Sequence, residues 1–169
     1  MTQTLLDQAL VEEATKKSGL IWVRGTGAAE RALWHVWLDG AAYVVGGGPG
    51  EQPLEGLTDG GTAAVTVRSK DKGGRLVAWT ATVSEIPSGT PAWDAAVAEL
   101  KGKRLNAPDG EAMPARWAAQ CRLLSLTPSG PLGVAPETSL ATPPVPSPAT
   151  TRHAVPAALP SLLFRRKRR

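Results

Sequence analysis

The side chains of this chain that could do chemistry are few and scattered. A glycine loop, Gly46-Gly47-Gly48-Pro49-Gly50, follows an apolar run and offers backbone N–H groups of the kind that cradle phosphate. It is neither a GxGxxG nor a P-loop. No Lys-Ser/Thr follows it and Glu51 carries the wrong charge for an anion, so a plain wide turn accounts for it as well. Arg68, Ser69 and Lys70 place two cations and a hydroxyl at the end of an alternating segment. There they can grip a phosphate, or simply be solvated before a turn. His35 lies between Trp34 and Val36-Trp37. Its imidazole titrates near neutrality, yet no Ser, Cys or Asp is spaced to form a nucleophile elbow with it. A core or interface histidine bonded to a backbone carbonyl is the reading its neighbours favour. Cys121, among apolar residues, reads as an inert buried thiol. One Cys and two His, His35 and His153, present no metal-ligand spacing.

Six Trp against one Tyr and one Phe is unusual. Indoles stack on planar ligands, but core and dimer packing is the ordinary use of so many. With a single cysteine no intrachain disulfide can form, which fits a reducing compartment. The N-terminus lacks a charged segment followed by an apolar one, so a cytoplasmic protein is expected. Val155 to Phe164 is apolar but short and holds Pro156 and Pro160, whereas a membrane span needs about 20 residues.

The net charge of +4 belongs to the end of the chain. Through Pro128 there are 13 Lys and Arg against 14 Asp and Glu; beyond it, Arg152 and the Arg165–Arg169 cluster face only Glu137. The domain itself has no general affinity for polyanions. Residues 129–169 contain 8 Pro in 41 residues and no sustained period. Such a tail cannot bury enough apolar area to offset its ordering entropy, and is expected to be disordered. Its basic cluster offers weak contact to an anionic partner, nucleic acid or lipid, or serves solubility alone.

The elements that must position these residues follow from periodicity. A helix is expected over 4–17, with Thr4 and Asp7 as a capping box and Leu6, Ala9, Leu10 and Ala14 as its apolar stripe. Strands are expected over 20–24, 31–38, 41–45, 62–69, 75–84 and 116–126. The 31–38 strand is apolar on both faces, so both must be covered. Asp39-Gly40 is a hairpin turn of the type that needs positive φ at both centres, and 71–74 is a second. One helical turn is expected in 51–57 and a helix over 91–100, with Thr90 as cap and Pro91 in its first turn. Residues 105–114 read as loop. Closing these strands removes sticky edges. The fold class is therefore mainly β with flanking helices, a six-stranded, mostly antiparallel barrel over 1–128.

From Ser18 to Pro128 the chain resembles the pyridoxamine 5′-phosphate oxidase-like, FMN-binding split β-barrel superfamily, in particular an actinobacterial branch of unassigned function. The likeness is carried by Ala32-Leu33-Trp34-His35-Val36-Trp37-Leu38-Asp39-Gly40-Ala41-Ala42-Tyr43-Val44-Val45, by residues 50–54, by Val67-Arg68-Ser69-Lys70-Asp71 and by Lys103-Arg104-Leu105-Asn106. It implies a homodimer with flavin at the interface and oxidoreductase chemistry on a small molecule. Carried over, the cofactor positions are Trp34, His35, Gly46, Gly47, Gly48, Gln52, Arg68, Ser69 and Lys70. Many members have Thr at the end of the third strand and then a basic pair that grips the phosphate. Here Gly46–Gly50 and Glu51-Gln52 stand instead, which leaves FMN, a deazaflavin coenzyme or no flavin open. A non-enzymatic split-barrel module, binding a small ligand or a partner with the basic tail as contact, is the alternative from another class.

Overall fold

In a computed structural model the described residues are 2–68 and 75–133, of which residues 2–4, Arg75, Leu76 and Gly133 are described by backbone alone. Helix α1 (Thr2–Lys17) leads into strands β1 (Leu20–Arg24), β2 (Arg31–Trp34), β3 (Val36–Leu38), β4 (Ala41–Gly46), β5 (Thr62–Arg68) and β6 (Arg75–Glu85). Helix α2 (Pro91–Lys103), a short 3-10 turn at Gly110–Ala112, helix α3 (Met113–Gln120) and strand β7 (Arg122–Gly133) complete the order. No helix among the described residues is long and apolar enough to cross a membrane.

The sheet has seven strands in the order β2-β1-β5-β6-β7-β4-β3, all antiparallel, rather than the six expected. The difference lies at His35. The 31–38 segment breaks there, so that β2 pairs with β1 at one edge while β3 pairs with β4 at the other. A single stretch of chain thus lines both edges and nearly closes the barrel, which leaves few unpaired strand groups exposed.

Alternation then sorts the side chains into two cores. Ile21, Val23, Leu33, Val44, Val65, Val67, Val77, Trp79, Ala81, Val83, Leu124 and Leu126 fill the barrel. Val36, Val45 and Leu123 point outward, under Ala96, Val97 and Leu100 of α2 and Met113 and Trp117 of α3. The two apolar faces of 31–38 are therefore both covered, the outer one by helices of the same chain. Asp39 and Gly40 have φ of 46° and 80°, the doubly left-handed turn expected between β3 and β4. Thr90 caps α2, its hydroxyl accepting from Trp93 N–H at 3.3 Å, with Pro91 in the first turn.

Four expectations require correction. Helix α1 begins at Thr2, which places Thr4 inside its first turn rather than at a cap. Its buried face is Val11 and Thr15 with Ala14 beside them, while Leu5, Leu6, Ala9 and Leu10 are exposed. The helix docks through its C-terminal half, where the Thr15 carbonyl accepts from His35. Residues 51–57 form no helical turn: Gly56 sits at φ 71° and the Gln52 amide is committed to strand backbone. Residues 113–120 are helix, not strand, so Trp117 lies on α3 and the segment expected as loop ends in a 3-10 turn. Met-Pro-Ala-Arg-Trp-Ala-Ala-Gln combines an early Pro with strong helix formers, and this outweighs the alternation of Trp117, Ala119 and Cys121. Strand β7 itself pairs with β6 as far as Gly133, seven residues past the end expected for the last strand. The 71–74 turn and the tail from 134 onward, with Arg165–Arg169, lie outside the described residues.

Candidate functional site

Two ends of the barrel carry the polar groups. At one end β4 runs into the glycine loop, which closes on itself: Gly47 N–H donates to the Gln52 carbonyl at 2.9 Å and Glu51 N–H to the Gly48 carbonyl at 3.2 Å. Glu51 points inward, with its side chain 1% exposed. Arg104, just past α2, reaches it through Nε at 3.2 Å, and Arg116 and the Trp117 indole N–H of α3 donate at 3.0 and 3.2 Å. Arg104 also donates to the Gly50 carbonyl, and Arg116 to Asp109. The guanidinium holds the Asp109 carboxyl below its ordinary range, while Asp109 and then Glu51 hold Arg116 more firmly protonated. A carboxylate of the chain itself thus sits where two guanidiniums and an indole N–H converge, and it pins the glycine loop to both helices. Cys121, behind Gly48, has its thiol raised by burial, which keeps it from reacting as a thiolate.

The break between β2 and β3 is held by side chains. The Gln52 amide oxygen accepts from Trp34 N–H at 2.9 Å, and its NH2 group donates to the Trp34 and Val45 carbonyls, both at 3.0 Å. All of its donors are used. Trp34 packs on Trp117 with ring centroids 6.1 Å apart. His35 is 1% exposed, and its Nε2 lies 2.9 Å from the Thr15 carbonyl, so Nε2 carries the proton and donates. Burial first, and the charge of Lys103 to a lesser degree, lower its pKa to about 4 against the raising effect of that bond. This is the core histidine that its apolar neighbours led us to expect.

At the other end, Arg68 closes β5. Its guanidinium lies 3.9 Å over the Trp22 ring and bonds Glu30 at 3.1 Å, with 39% of the side chain exposed. Next to it the outer face of β1, β5 and β6 forms an open groove of about 290 Å³, floored by Ala64, Thr66, Ala78 and Thr80 and flanked by Arg24 and Glu30. Among the described residues no helix packs substantially over β1 or β5.

No family profile and no curated protein matches the chain. Among solved structures, the heme storage protein HutZ from Vibrio cholerae superposes with a TM-score of 0.53 at 12% identity, over 74% of this chain and 92% of that one. The flavocytochrome Anf3 from Azotobacter vinelandii gives 0.48 at 15% identity, covering 91% and 89% of the two chains. The FAD and heme binding protein from Mycobacterium smegmatis gives 0.41 at 17%, covering 94% of each. The chain has a split-barrel fold similar to that of HutZ. At these identities the likeness is one of fold.

Of the carried-over flavin positions within this split barrel, Gln52 joins Trp34 and Gly47 by hydrogen bonds, while Arg68 bonds Glu30 and packs on Trp22. Gly46 pairs with Arg122, two residues before Leu124, which pairs with Glu85 at the end of β6; Arg68 pairs with Arg75 at the start of β6. Ten residues of β6 separate these two pairings, whereas across the closure of the barrel Trp34, bonded to Gln52 beside Gly47, pairs with Leu20 of β1, the strand next to β5. Trp34, His35 and Gln52 are engaged inside the protein, and Ser69 and Lys70 lie outside the described residues. The glycine loop also fits a phosphate poorly, since Glu51 already neutralises its nearest cations. Arg68 does fit: it is half-exposed, and its fork lies beside a groove floored by small side chains. The Glu51 cluster was not legible beforehand. Its members are far apart in sequence, and the only local sign was a carboxylate placed directly after a glycine loop.

Proposed function

We propose that this split barrel binds a flavin nucleotide, FMN or a deazaflavin, as a homodimer, and uses it in redox chemistry on a small molecule. The observation that carries the reading is the open groove on β1, β5 and β6 beside Arg68. A flat ring can lie on Ala64, Thr66, Ala78 and Thr80, and the Arg68 fork can bond two phosphate oxygens in exchange for Glu30. HutZ, Anf3 and the mycobacterial protein, whose names speak of heme, flavocytochrome and FAD, add support through their common fold. The homodimer is part of the reading because the resembling superfamily holds its flavin at a dimer interface. Exposed Leu5, Leu6 and Leu10 offer apolar surface for such a contact. When bound, the flavin supplies hydride or electron transfer, and the protein contributes orientation and charge. No acid–base residue is required, and His35, neutral and enclosed, is not placed to serve as one.

The test is a fluorescence titration of FMN, and of a deazaflavin coenzyme, into the purified chain and its Arg68→Ala variant. Loss of a charge-assisted hydrogen bond weakens binding by about 1.5–3 kcal/mol. Arg68–Glu30 is surface-exposed, so the fold should lose less than about 1 kcal/mol. Equal affinity of parent and variant would remove Arg68 from the site. Absence of binding of either flavin by the parent would leave the second reading, a split-barrel ligand- or partner-binding module without enzymatic activity. The internal Glu51 carboxylate in the glycine-loop cluster favours that reading.

A further inference from the structure

Three charged side chains border the outer groove of β1, β5 and β6, and two of them are paired. Arg24 stands opposite Ala64 and Trp22 opposite Thr66, so both share a face with the groove floor. Arg68 reaches over the Trp22 ring at 3.9 Å, and Glu30 accepts from it at 3.1 Å. Glu30 also lines the groove, as Arg24 does. Arg24 is exposed and makes no hydrogen bond or ion pair among the described residues. The course of the chain brings Glu30 to this place. A Cβ at Gly25 would lie 2.4 Å from the Gly56 carbonyl, and Thr26 N–H donates to that carbonyl at 3.0 Å. On the other side of Glu30, Arg31 enters β2 opposite Val23 and bonds Glu55 at 3.4 Å. The backbone at Glu30 is thus anchored from both sides, while its partly exposed side chain keeps room to turn.

We propose that Glu30 is a displaceable counter-ion shared by two arginines: it occupies Arg68 while the groove is empty and passes to Arg24 when a ligand phosphate takes Arg68. The inference rests on the reading of this groove as the site of a phosphate-bearing ligand, and adds how that site is kept closed and how it loads. The charges dictate the exchange. Without a ligand, Arg68 and Glu30 neutralise one another, and Arg24 is left as the cation of the groove. A phosphate monoester brings between one and two negative charges and three acceptor oxygens, more than a single carboxylate offers the guanidinium fork. Once displaced, Glu30 faces the phosphate as a like charge unless a cation receives it. Arg24, a long side chain on the same groove, is that cation. In the loaded groove each anion then has its own guanidinium.

The experiment titrates FMN, and riboflavin as the probe without phosphate, into the full chain, Glu30→Gln, Arg24→Gln and the double variant, followed by flavin fluorescence. Salt is held at about 0.3 M, where the Debye length is roughly 6 Å and distant charges are screened. Glu30→Gln should bind FMN about three- to tenfold more tightly than the parent, the scale of a partly exposed ion pair that no longer has to be broken, and riboflavin equally well. Arg24→Gln should weaken FMN binding about two- to fivefold in the parent and by less than about twofold in the Glu30→Gln background, because only a displaced carboxylate needs it. Glu30→Ala repeats the first measurement without an amide on Arg68, and decides if Glu30→Gln fails to fold. Unchanged FMN affinity in both Glu30 variants, with Arg68→Ala still weakening it, would overturn the counter-ion and leave the phosphate site standing. An equal gain for FMN and riboflavin would also overturn it. Arg24→Gln costing the same in both backgrounds would show Arg24 holding the phosphate itself, and would overturn the transfer. Absence of FMN binding by the parent and by the Glu30 variants alike would remove the reading of the groove and this inference together.

Discussion

Replacing Glu51 by Gln tests the cluster that ties the glycine loop to α2 and α3. The substitution keeps the shape and one acceptor oxygen, and sets an NH2 group against Arg104, Arg116 or the Trp117 indole. Removing one member of a buried, hydrogen-bonded charge cluster typically costs 3–5 kcal/mol, because the remaining charges are left without compensation. Here Arg104 and Arg116 retain 24% and 21% side-chain exposure, and water can reach them in part. A loss of about 2–4 kcal/mol is therefore expected. For a domain of this size each kcal/mol moves the melting temperature by about 3–4 °C, so Tm should fall by roughly 6–15 °C. Urea unfolding followed by tryptophan fluorescence gives the same quantity directly, since Trp117 donates to Glu51. The control is Glu55→Gln. Glu55 pairs with Arg31 at 3.4 Å with both side chains half-exposed, and should lose less than about 1 kcal/mol. If both substitutions cost the same small amount, Glu51 does not clamp the loop, and the case against an external phosphate at this end of the barrel fails with it.

His35 makes stability depend on pH. Its folded pKa of about 4 lies below the ordinary value of 6.5, so between these values the unfolded chain binds more protons and stability rises with pH. The parent should lose roughly 2–3 kcal/mol more than His35→Gln on going from pH 7 to pH 4.5; parallel curves from urea melts would show that burial does not hold the imidazole neutral. At Gly46 a Cβ would lie 2.2 Å from the Gln52 carbonyl oxygen, a backbone atom that cannot give way. Gly46→Ala should therefore cost at least about 2 kcal/mol in a thermal melt by steric overlap alone. Gly47→Ala meets nothing within 4 Å and should cost about 1–3 kcal/mol, from its φ of 80° alone; an unchanged Gly46→Ala variant would contradict the close approach.

What the sequence made legible was local. Asp39-Gly40, Thr90-Pro91 and the alternation of Val77, Trp79, Ala81 and Val83 each specify their backbone within a few residues, and the structure follows them. The errors arose where a partner distant in sequence decides. Which face of α1 is buried depends on the Thr15–His35 bond, made across 20 residues, and no stripe of leucines reports it. The break at His35 depends on Gln52, which supplies partners to Trp34 and Val45 from a segment with no strand or helix signal of its own. At 113–120 two local signals compete, and the short alternation yields to helix propensity with a proline at the start.

The candidate site shows the same limit more sharply. Arg68, Ser69, Lys70 and the glycine loop seemed to converge because each can hold an anion. The strand register then places Arg68 and Gly46 at opposite ends of β6. Residue type states what a group can bind, and register states what it can bind together with. Along β6 the two are far apart, while Gln52, bonded to Gly47 and to Trp34, ties the loop to the row in which Trp34 faces Leu20 of β1. The Glu51 carboxylate weighs against a phosphate at the loop, since an external anion there would have to displace an internal one already held by two guanidiniums and an indole. At Arg68 a phosphate would replace only the half-exposed Glu30. The costs of anion exchange at the two ends therefore differ by the desolvation of one buried carboxylate cluster, and that difference is why the reading proposed above puts a cofactor phosphate at the open sheet face rather than at the glycine loop.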